Sequence, residues 1–232
     1  MSEYRNGVSR GIPVGMGYFS VSFGFGAMAA AQGIAPLAAG ILSATNLTSA
    51  GQFAGLTLIL AQAGLWEVIL TTLVINSRYA LMSLALSQRM GQDIGLLPRL
   101  LIAYFNTDEI FAPAMARTEK LTVPFLLGLG TLPFVGWTCG TLLGALAGSV
   151  LPMSIRTALG VMLYGMFIAI VVPPARKEHP VLMVVLGALI LSSLFAWIPA
   201  LQTVSPGIAI VICTVAAAAL GAAIFPREED VQ

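Results

Sequence analysis

Long apolar segments separated by short polar loops make up most of this chain. A helix that spans a membrane needs about 20 mostly apolar residues. Six segments meet that requirement: Gly11–Ala31, Trp66–Ser87, Pro124–Val150, Thr157–Val172, Pro180–Leu201 and Gly207–Phe225. The pattern predicts an all-α, polytopic helical membrane protein with about six full spans.

Two further apolar segments are interrupted by polar residues near their middles. Pro36–Ala63 contains the run from Asn46 to Gln52, and Leu97–Ala116 contains the run from Asn106 to Glu109. Interrupted helices of this kind bind substrate near the midplane in several transporter folds. We expect two broken or re-entrant segments. The alternative is seven or eight full spans, because the 28 residues of the first segment could cross.

The basic loops bear on this choice, since Lys and Arg in short loops favour the cytoplasm. The loops contain Arg5 and Arg10, Arg89 and Arg99, Arg117 and Lys120, Arg176 and Lys177, and Arg227. All five lie on one side only if both broken segments return to the side that they entered from. This arrangement predicts cytoplasmic termini and leaves Arg156 alone on the outer face.

Composition excludes several functional classes. Hydrophobic residues make up 58% of the chain and charged residues 9%, with a net charge of +1, so we expect a membrane protein that does not bind nucleic acid. Cys139 and Cys213 lie in apolar segments and the single histidine, His179, lies in a charged loop. We therefore predict no metal, no cofactor and no enzyme, because a hydrolase would need a Ser–His, Cys–His or metal constellation. No linker divides the chain, so we expect one domain, 1–232.

The polar residues within apolar segments are the candidates for substrate binding. Arg78 lies about 15 Å from either end of its predicted span. A buried guanidinium can bind a substrate carboxylate or pair with Asp108 or Glu109; a purely structural ion pair is the alternative. The substrate-binding candidates are Tyr18, Asn46, Ser49, Gly51, Gln52, Asn76 and Arg78.

Asp108 and Glu109 are the candidates for proton coupling. A carboxylate in a low-dielectric cavity can exchange a proton near neutral pH. Adjacent residues on a helix point about 100° apart, so one of the two can face the cavity while the other faces a neighbouring helix. The alternative is that both acids are solvated at the membrane surface.

Four glycines recur at four-residue spacing on one predicted span: Gly136, Gly140, Gly144 and Gly148. Such a stripe lets another helix approach closely. It predicts helix packing, with a partner helix from this chain or from another subunit.

Several of these blocks, in this order, resemble a known family. They are Gly11 to Tyr18 with Phe23 to Gly26, Gly51-Gln52-Phe53, Asn76-Ser77-Arg78 and Thr107 to Phe111. The chain resembles the AzlC family of branched-chain amino acid permeases over nearly its whole length. The resemblance implies a multi-pass protein of the bacterial inner membrane that exports neutral, mainly branched-chain, amino acids together with a small membrane subunit of the AzlD type. A non-transporting scaffold subunit, an exporter of another small solute and a passive channel are the alternatives.

Overall fold

Five helices are long and apolar enough to cross a membrane. The computed structural model describes residues 2–91, 94–148, 154, 165, 168 and 171–225. The five helices are α1 (Glu3–Ala31), α4 (Leu65–Arg89), α7 (Val123–Gly148), α8 (His179–Trp197) and α9 (Pro206–Ile224). Each coincides with a predicted span, and the all-α, multi-pass membrane architecture is confirmed. The sixth predicted span, Thr157–Val172, lies almost entirely outside the described residues, as do Arg156 and the polar tail from Arg227.

The first helix begins earlier than the hydropathy pattern indicates. It starts at Glu3 rather than Gly11, after Ser2, whose hydroxyl accepts a hydrogen bond from the backbone N–H of Arg5 at 3.5 Å. An N-cap serine and an acidic first turn favour a helix start. The added turns are polar, so a search for apolar residues misses them.

Both interrupted segments are broken at the predicted positions. The first forms α2 (Pro36–Thr45) and α3 (Ser49–Leu60), and the second forms α5 (Leu96–Phe105) and α6 (Asp108–Met115). Each break contains a tight turn, in which a threonine N–H bonds a carbonyl two residues earlier: Thr48 to Asn46 at 2.9 Å and Thr107 to Phe105 at 2.9 Å. At about 1.5 Å per residue, none of the four helices alone spans the roughly 30 Å hydrocarbon core. That the pairs re-enter stays a prediction.

The chain divides into two compact units. The first comprises Met1–Phe53 and Asn76–Leu163, and the second comprises Ala54–Ile75 and Tyr164–Gln232. Helices α3 and α4 contribute residues to both. The expectation of one domain stays a prediction.

The glycine stripe of α7 packs against α1 in the first unit. A Cβ built on Gly136 would collide with the carbonyl oxygen of Gly15, and one on Gly144 with the carbonyl oxygen of Phe23. The fit is reciprocal, since a Cβ on Gly11 would lie 2.6 Å from the carbonyl oxygen of Leu129. The two backbones are therefore as close as glycine allows. Gly7, Gly11 and Gly15 form a second four-residue stripe that our reading of the sequence missed.

A buried apolar cluster holds the second broken segment against α4 and α7. Its members come from α4 to α7 and the loops between them: Leu86, Met90, Ile102, Ile110, Ala114, Leu121, Phe125, Leu126 and Leu129. Contacts among these buried side chains hold α5 and α6 in place, and with them the break between the two helices.

The second unit contains the apolar helices α8 and α9, which pack against each other. Gly221 of α9 lies against Val184 of α8. A mostly apolar cavity of about 760 Å³ lies between them, with Ser192, Gln202 and Thr214 among its lining residues. Helices that are apolar on all sides are typical of membrane spans.

Candidate functional site

A chain of polar side chains joins the two helix breaks within the first unit. At one end, Asp108, the first residue of α6, pairs with Arg78 of α4 at 2.6 Å. Arg78 donates to the hydroxyl of Tyr79 at 3.3 Å, and that hydroxyl donates to Thr48, in the α2–α3 break, at 3.3 Å. The guanidinium also lies over the Tyr79 ring, 4.9 Å from its centroid. Four side chains thus connect the two breaks without a gap.

Asn76 and Gly51 fix the first break against α4. The Thr48 hydroxyl donates to Oδ1 of Asn76 at 2.8 Å. A Cβ built on Gly51 would lie 2.8 Å from the same oxygen, closer than real Cβ contacts allow. Glycine at position 51 therefore lets the start of α3 approach the Asn76 amide.

The Arg78–Asp108 ion pair is accessible as well as tightly bonded. Its two side chains are 42% and 37% exposed. The residues beside it are almost fully buried, with Thr48 and Thr107 each 3% exposed. A charged pair that is partly exposed, and whose guanidinium is also bonded to the half-buried Tyr79 hydroxyl, can exchange its partner for a ligand.

A second series of side-chain contacts links the same two breaks. Gln52, in the first turn of α3, accepts a hydrogen bond from Nε1 of Trp137 at 2.8 Å. Trp137 packs edge-on against Tyr18, with ring centroids 5.3 Å apart. The Tyr18 hydroxyl lies 2.5 Å from Oε2 of Glu109 and 2.6 Å from Oγ1 of Thr107 in the other break. Asp108 and Glu109 therefore have different partners, a guanidinium and a phenol.

The first break is anchored to α2 and α7 by a buried hydrogen-bond network. Nε2 of Gln52 donates to Oγ of Ser43 at 2.6 Å, and that oxygen lies 2.6 Å from Oγ1 of Thr141. Ser43 and Thr141 are 0% exposed. A fully bonded buried network of this kind specifies one arrangement of its helices.

The two helices that start at the breaks present their N-termini near this cluster. α3 begins at Ser49 and α6 at Asp108. Helix N-termini carry partial positive charge and unpaired N–H groups, so they favour carboxylates. Thr107 occupies the N-cap position of α6 without a side-chain capping bond. Its hydroxyl is close to Tyr18 instead.

Asn106, in the second break, is buried and incompletely paired. It is 3% exposed, and its Nδ2 donates to Oγ of Ser83 at 3.0 Å. Its Oδ1 has no hydrogen-bond partner among the described residues. A buried acceptor that lacks a donor is costly, and a ligand N–H group could satisfy it.

Most of the predicted site residues lie together. Seven predicted site residues belong to the two series of side-chain contacts described above. They are the binding candidates Tyr18, Gly51, Gln52, Asn76 and Arg78 and the acids Asp108 and Glu109. Asn46 and Ser49 lie half-buried beside the first break, and neither makes a side-chain hydrogen bond within the part of the chain that the structure describes.

Sequence reasoning did not name several members of the cluster as site residues: Thr48 and Thr107, which lie within the predicted polar runs, and Tyr79 and Trp137. Thr48 and Thr107 each precede the first residue of a broken half-helix, which is a usable signal for an N-cap residue. Tyr79 follows Arg78 directly. Trp137 lies within the glycine stripe, where its indole carries a polar N–H that needs a partner when buried.

The site contains no metal-binding cluster in the described residues. No group of three or more His, Cys, Asp or Glu side chains there is arranged to hold a metal ion. Its chemistry is that of one guanidinium, two carboxylates, hydroxyls and amides, which suits binding and proton exchange.

Comparison with known proteins gives a family and several relatives. The family model described as AzlC protein matches residues 13–151, more than half of the chain. The inner membrane protein YgaZ of Escherichia coli is 26% identical over 77% of this chain and 76% of its own. Membrane proteins of Archaeoglobus fulgidus and Helicobacter pylori are each 30% identical, over 76% and 64% of this chain and 78% and 66% of their own lengths. No solved structure matches the chain. The polar blocks that define the site lie within the matched region, and the chain belongs to the AzlC family of membrane proteins.

Proposed function

We propose that this protein is a secondary transporter that exports neutral, branched-chain amino acids across the bacterial inner membrane, coupled to the proton gradient. A small membrane subunit of the AzlD type completes the exporter. The observation that carries the proposal is the accessible Arg78–Asp108 ion pair between two broken helices. Family membership supports a transporter-type role.

The ion pair matches the chemistry of a zwitterion. A neutral amino acid carries one carboxylate and one ammonium group. Arg78 would bind the carboxylate through its planar guanidinium, and Asp108 would bind the ammonium group. Insertion of the substrate replaces one ion pair with two, so no charge is left unpaired in a low-dielectric site.

The surrounding residues complete this binding mode. Oδ1 of Asn106, which lacks a donor, would accept a hydrogen bond from the substrate ammonium group. The start of α3, with Asn46, Ser49 and Gly51, would supply further N–H donors for the carboxylate. Apolar walls would then select aliphatic side chains.

Proton coupling is assigned to the two acids. While Asp108 is bound to Arg78 or substrate, Glu109 would carry the proton, bonded to the Tyr18 hydroxyl. Loading and unloading a proton there changes the charge of the cavity by one unit. Such a change biases which side of the cavity opens.

Efflux from proteoliposomes tests the proposal. Proteoliposomes that contain the purified protein, with and without the small subunit, are loaded with radiolabelled leucine, valine or methionine. A pH gradient is then imposed across their membrane. We expect uphill efflux that Arg78→Ala and Asp108→Asn abolish. Arg176→Ala, at an exposed arginine outside the Arg78 cluster, is the matched control and should transport normally. Absence of efflux from the complete pair, or purely downhill movement, would refute proton-coupled export of these amino acids.

A further inference from the structure

A carboxylate in the second unit occupies the N-terminus of α9. Oε1 of Glu67 accepts the backbone N–H of Gly207 at 2.8 Å. Gly207 follows Pro206, which has no N–H, so it supplies the first donor of the 19-residue helix.

Ser205 does not cap this helix with its own side chain. It is the N-cap residue, the position at which a serine hydroxyl ordinarily bonds an N–H of the first turn. Here it makes no capping bond, and its buried hydroxyl has no partner among the described residues. Glu67 takes the capping role from a neighbouring helix and leaves the serine donor unused.

Thr71 brings a second unused donor to the same place. It lies one turn after Glu67 on α4, is 0% exposed, and its hydroxyl has no partner in the described part of the chain. A Cβ built on Gly207 would lie 2.7 Å from Oγ1 of Thr71 and 2.7 Å from Oε1 of Glu67. The adjacent Thr72 donates instead to the carbonyl of Val68, at 2.7 Å, which is the usual choice for a threonine within a helix. The Thr71 hydroxyl therefore points at the end of α9.

We propose that the N-terminus of α9 is a binding site for a small monocarboxylate, occupied in this conformation by the carboxylate of Glu67. Two donors meet there, the Gly207 N–H and the Thr71 hydroxyl, and Ser205 at the N-cap position carries a third, a buried hydroxyl without a partner among the described residues. Two of the three are idle while Glu67 is bound. A free carboxylate has acceptor positions for all three. Glu67 is half-buried on a flexible side chain, so rotation of that side chain vacates the site.

This inference is independent of the proposed transport function, because its residues and its test lie outside the Arg78 cluster. The experiment uses the full chain in detergent and sodium formate as the probe, with sodium chloride at equal ionic strength. Glu67→Ala removes the internal carboxylate. We expect formate, and not chloride, to raise its melting temperature saturably, by about 3 °C near ten times the half-saturating concentration.

Two variants show whether formate binds at this site. Thr71→Val alone should leave the melting temperature in chloride nearly unchanged, because its hydroxyl has no partner while Glu67 is bound. Combined with Glu67→Ala, it should remove the effect of formate. Equal responses to formate and chloride, or a double variant that responds like Glu67→Ala, would overturn the proposal.

A measurement on the wild-type chain covers the case in which Glu67→Ala does not fold. Saturation transfer from the protein to the formate proton reports binding in competition with Glu67. We expect a signal that Thr71→Val weakens and that Gly187→Ala, at an α8 glycine with nothing within 4 Å of its Cβ position, leaves unchanged. Identical transfer in the wild type and Thr71→Val would contradict the assignment.

Discussion

The hydroxyl of Tyr18 lies 2.5 Å from a carboxylate oxygen of Glu109, although the two residues are 91 positions apart in the chain. The short distance brings α1, which packs against the glycine stripe of α7, into direct contact with the second helix break. It also separates the two adjacent acids, because Asp108 pairs with Arg78 instead. This separation supports the proposed division of roles, in which Asp108 pairs with Arg78 or substrate and Glu109 exchanges the proton.

Removing the Tyr18 hydroxyl should alter the pH dependence of export and leave substrate binding largely intact. A hydroxyl that donates to a carboxylate stabilises its ionised form, by about 1.5–3 kcal/mol. In Tyr18→Phe, the pH profile of export should therefore differ from that of the wild type. Glu109→Gln should make export independent of pH. Both are measured as leucine efflux at a series of pH values.

Tyr4→Phe is the control for this prediction. Tyr4 lies on the same helix, and its hydroxyl contacts Thr131 at 3.1 Å, away from the two acids. It should keep the wild-type pH profile. If Tyr18→Phe, Glu109→Gln and Tyr4→Phe all show the wild-type pH profile, Glu109 is excluded as the proton-coupling group.

Trp137 should matter for stability more than its place in an apolar helix suggests. Trp137→Phe keeps the aromatic ring but leaves Oε1 of the buried Gln52 without its donor. An unsatisfied buried acceptor costs about 1–3 kcal/mol, so the free energy of unfolding should fall by about that amount. Trp197→Phe, at a site that is 83% exposed, should have little effect. Thermal unfolding of the purified variants measures both.

The glycines of α7 should differ in their tolerance of alanine. A Cβ at Gly144 would collide with the backbone of Phe23, whereas at Gly148 the nearest atom, Cα of Ala27, is 3.1 Å away. Gly144→Ala should therefore lower the melting temperature more than Gly148→Ala. Gly17→Ala, with nothing within 4 Å, should be neutral or stabilising by up to about 1 kcal/mol. Equal changes in melting temperature at all three positions would mean that close packing at Gly144 does not decide the effect.

Arg117 should make stability dependent on acid pH. Its buried guanidinium bonds both carboxylate oxygens of Glu3 and stacks 4.1 Å from the centre of the Phe125 ring. The bond with Glu3 raises the pKa of Arg117. A backbone hydrogen bond and the contact with Arg117 lower the pKa of Glu119 below its usual range.

A carboxyl whose pKa is lowered on folding stabilises the protein at neutral pH and loses that contribution as pH falls through its folded-state pKa. Melting temperatures recorded from pH 7 to the acid range should therefore fall less steeply in Glu119→Gln than in the wild type. Arg117→Ala should lower the melting temperature at pH 7 and flatten the same profile. If the melting temperatures of both variants fall with acid pH as steeply as that of the wild type, the contact between Arg117 and Glu119 is not the source of the pH dependence.

The sequence predicts the spans and the breaks well, because both depend on local composition. A run of some 20 apolar residues has few alternatives to a membrane helix. Polar residues such as Asn46 and Asn106 within such a run mark where the helix ends. The start of α1 at Glu3 is missed because a polar helical turn carries no hydropathy signal.

Partner choice within the site is harder to predict, because it depends on packing between distant segments. Arg78 is identifiable as a cation in the middle of a predicted span, yet sequence alone leaves Asp108, Glu109 and substrate as equivalent partners. The geometry pairs it with Asp108 and gives Glu109 to Tyr18. The link from Gln52 to Trp137 joins residues 85 positions apart, and no local pattern indicates it.

Direct binding of substrate analogues tests the central claim that Arg78 and Asp108 together bind a zwitterion. Leucine is compared with isocaproate, which lacks the amino group, and isoamylamine, which lacks the carboxylate, by equilibrium binding to the purified exporter. We predict that wild-type protein binds leucine at least about tenfold more tightly than either analogue, a difference of about 1.4 kcal/mol. We also predict that Arg78→Ala erases the preference for leucine over isoamylamine. Equal binding of all three compounds to the wild type, or an unchanged preference in Arg78→Ala, would contradict the account.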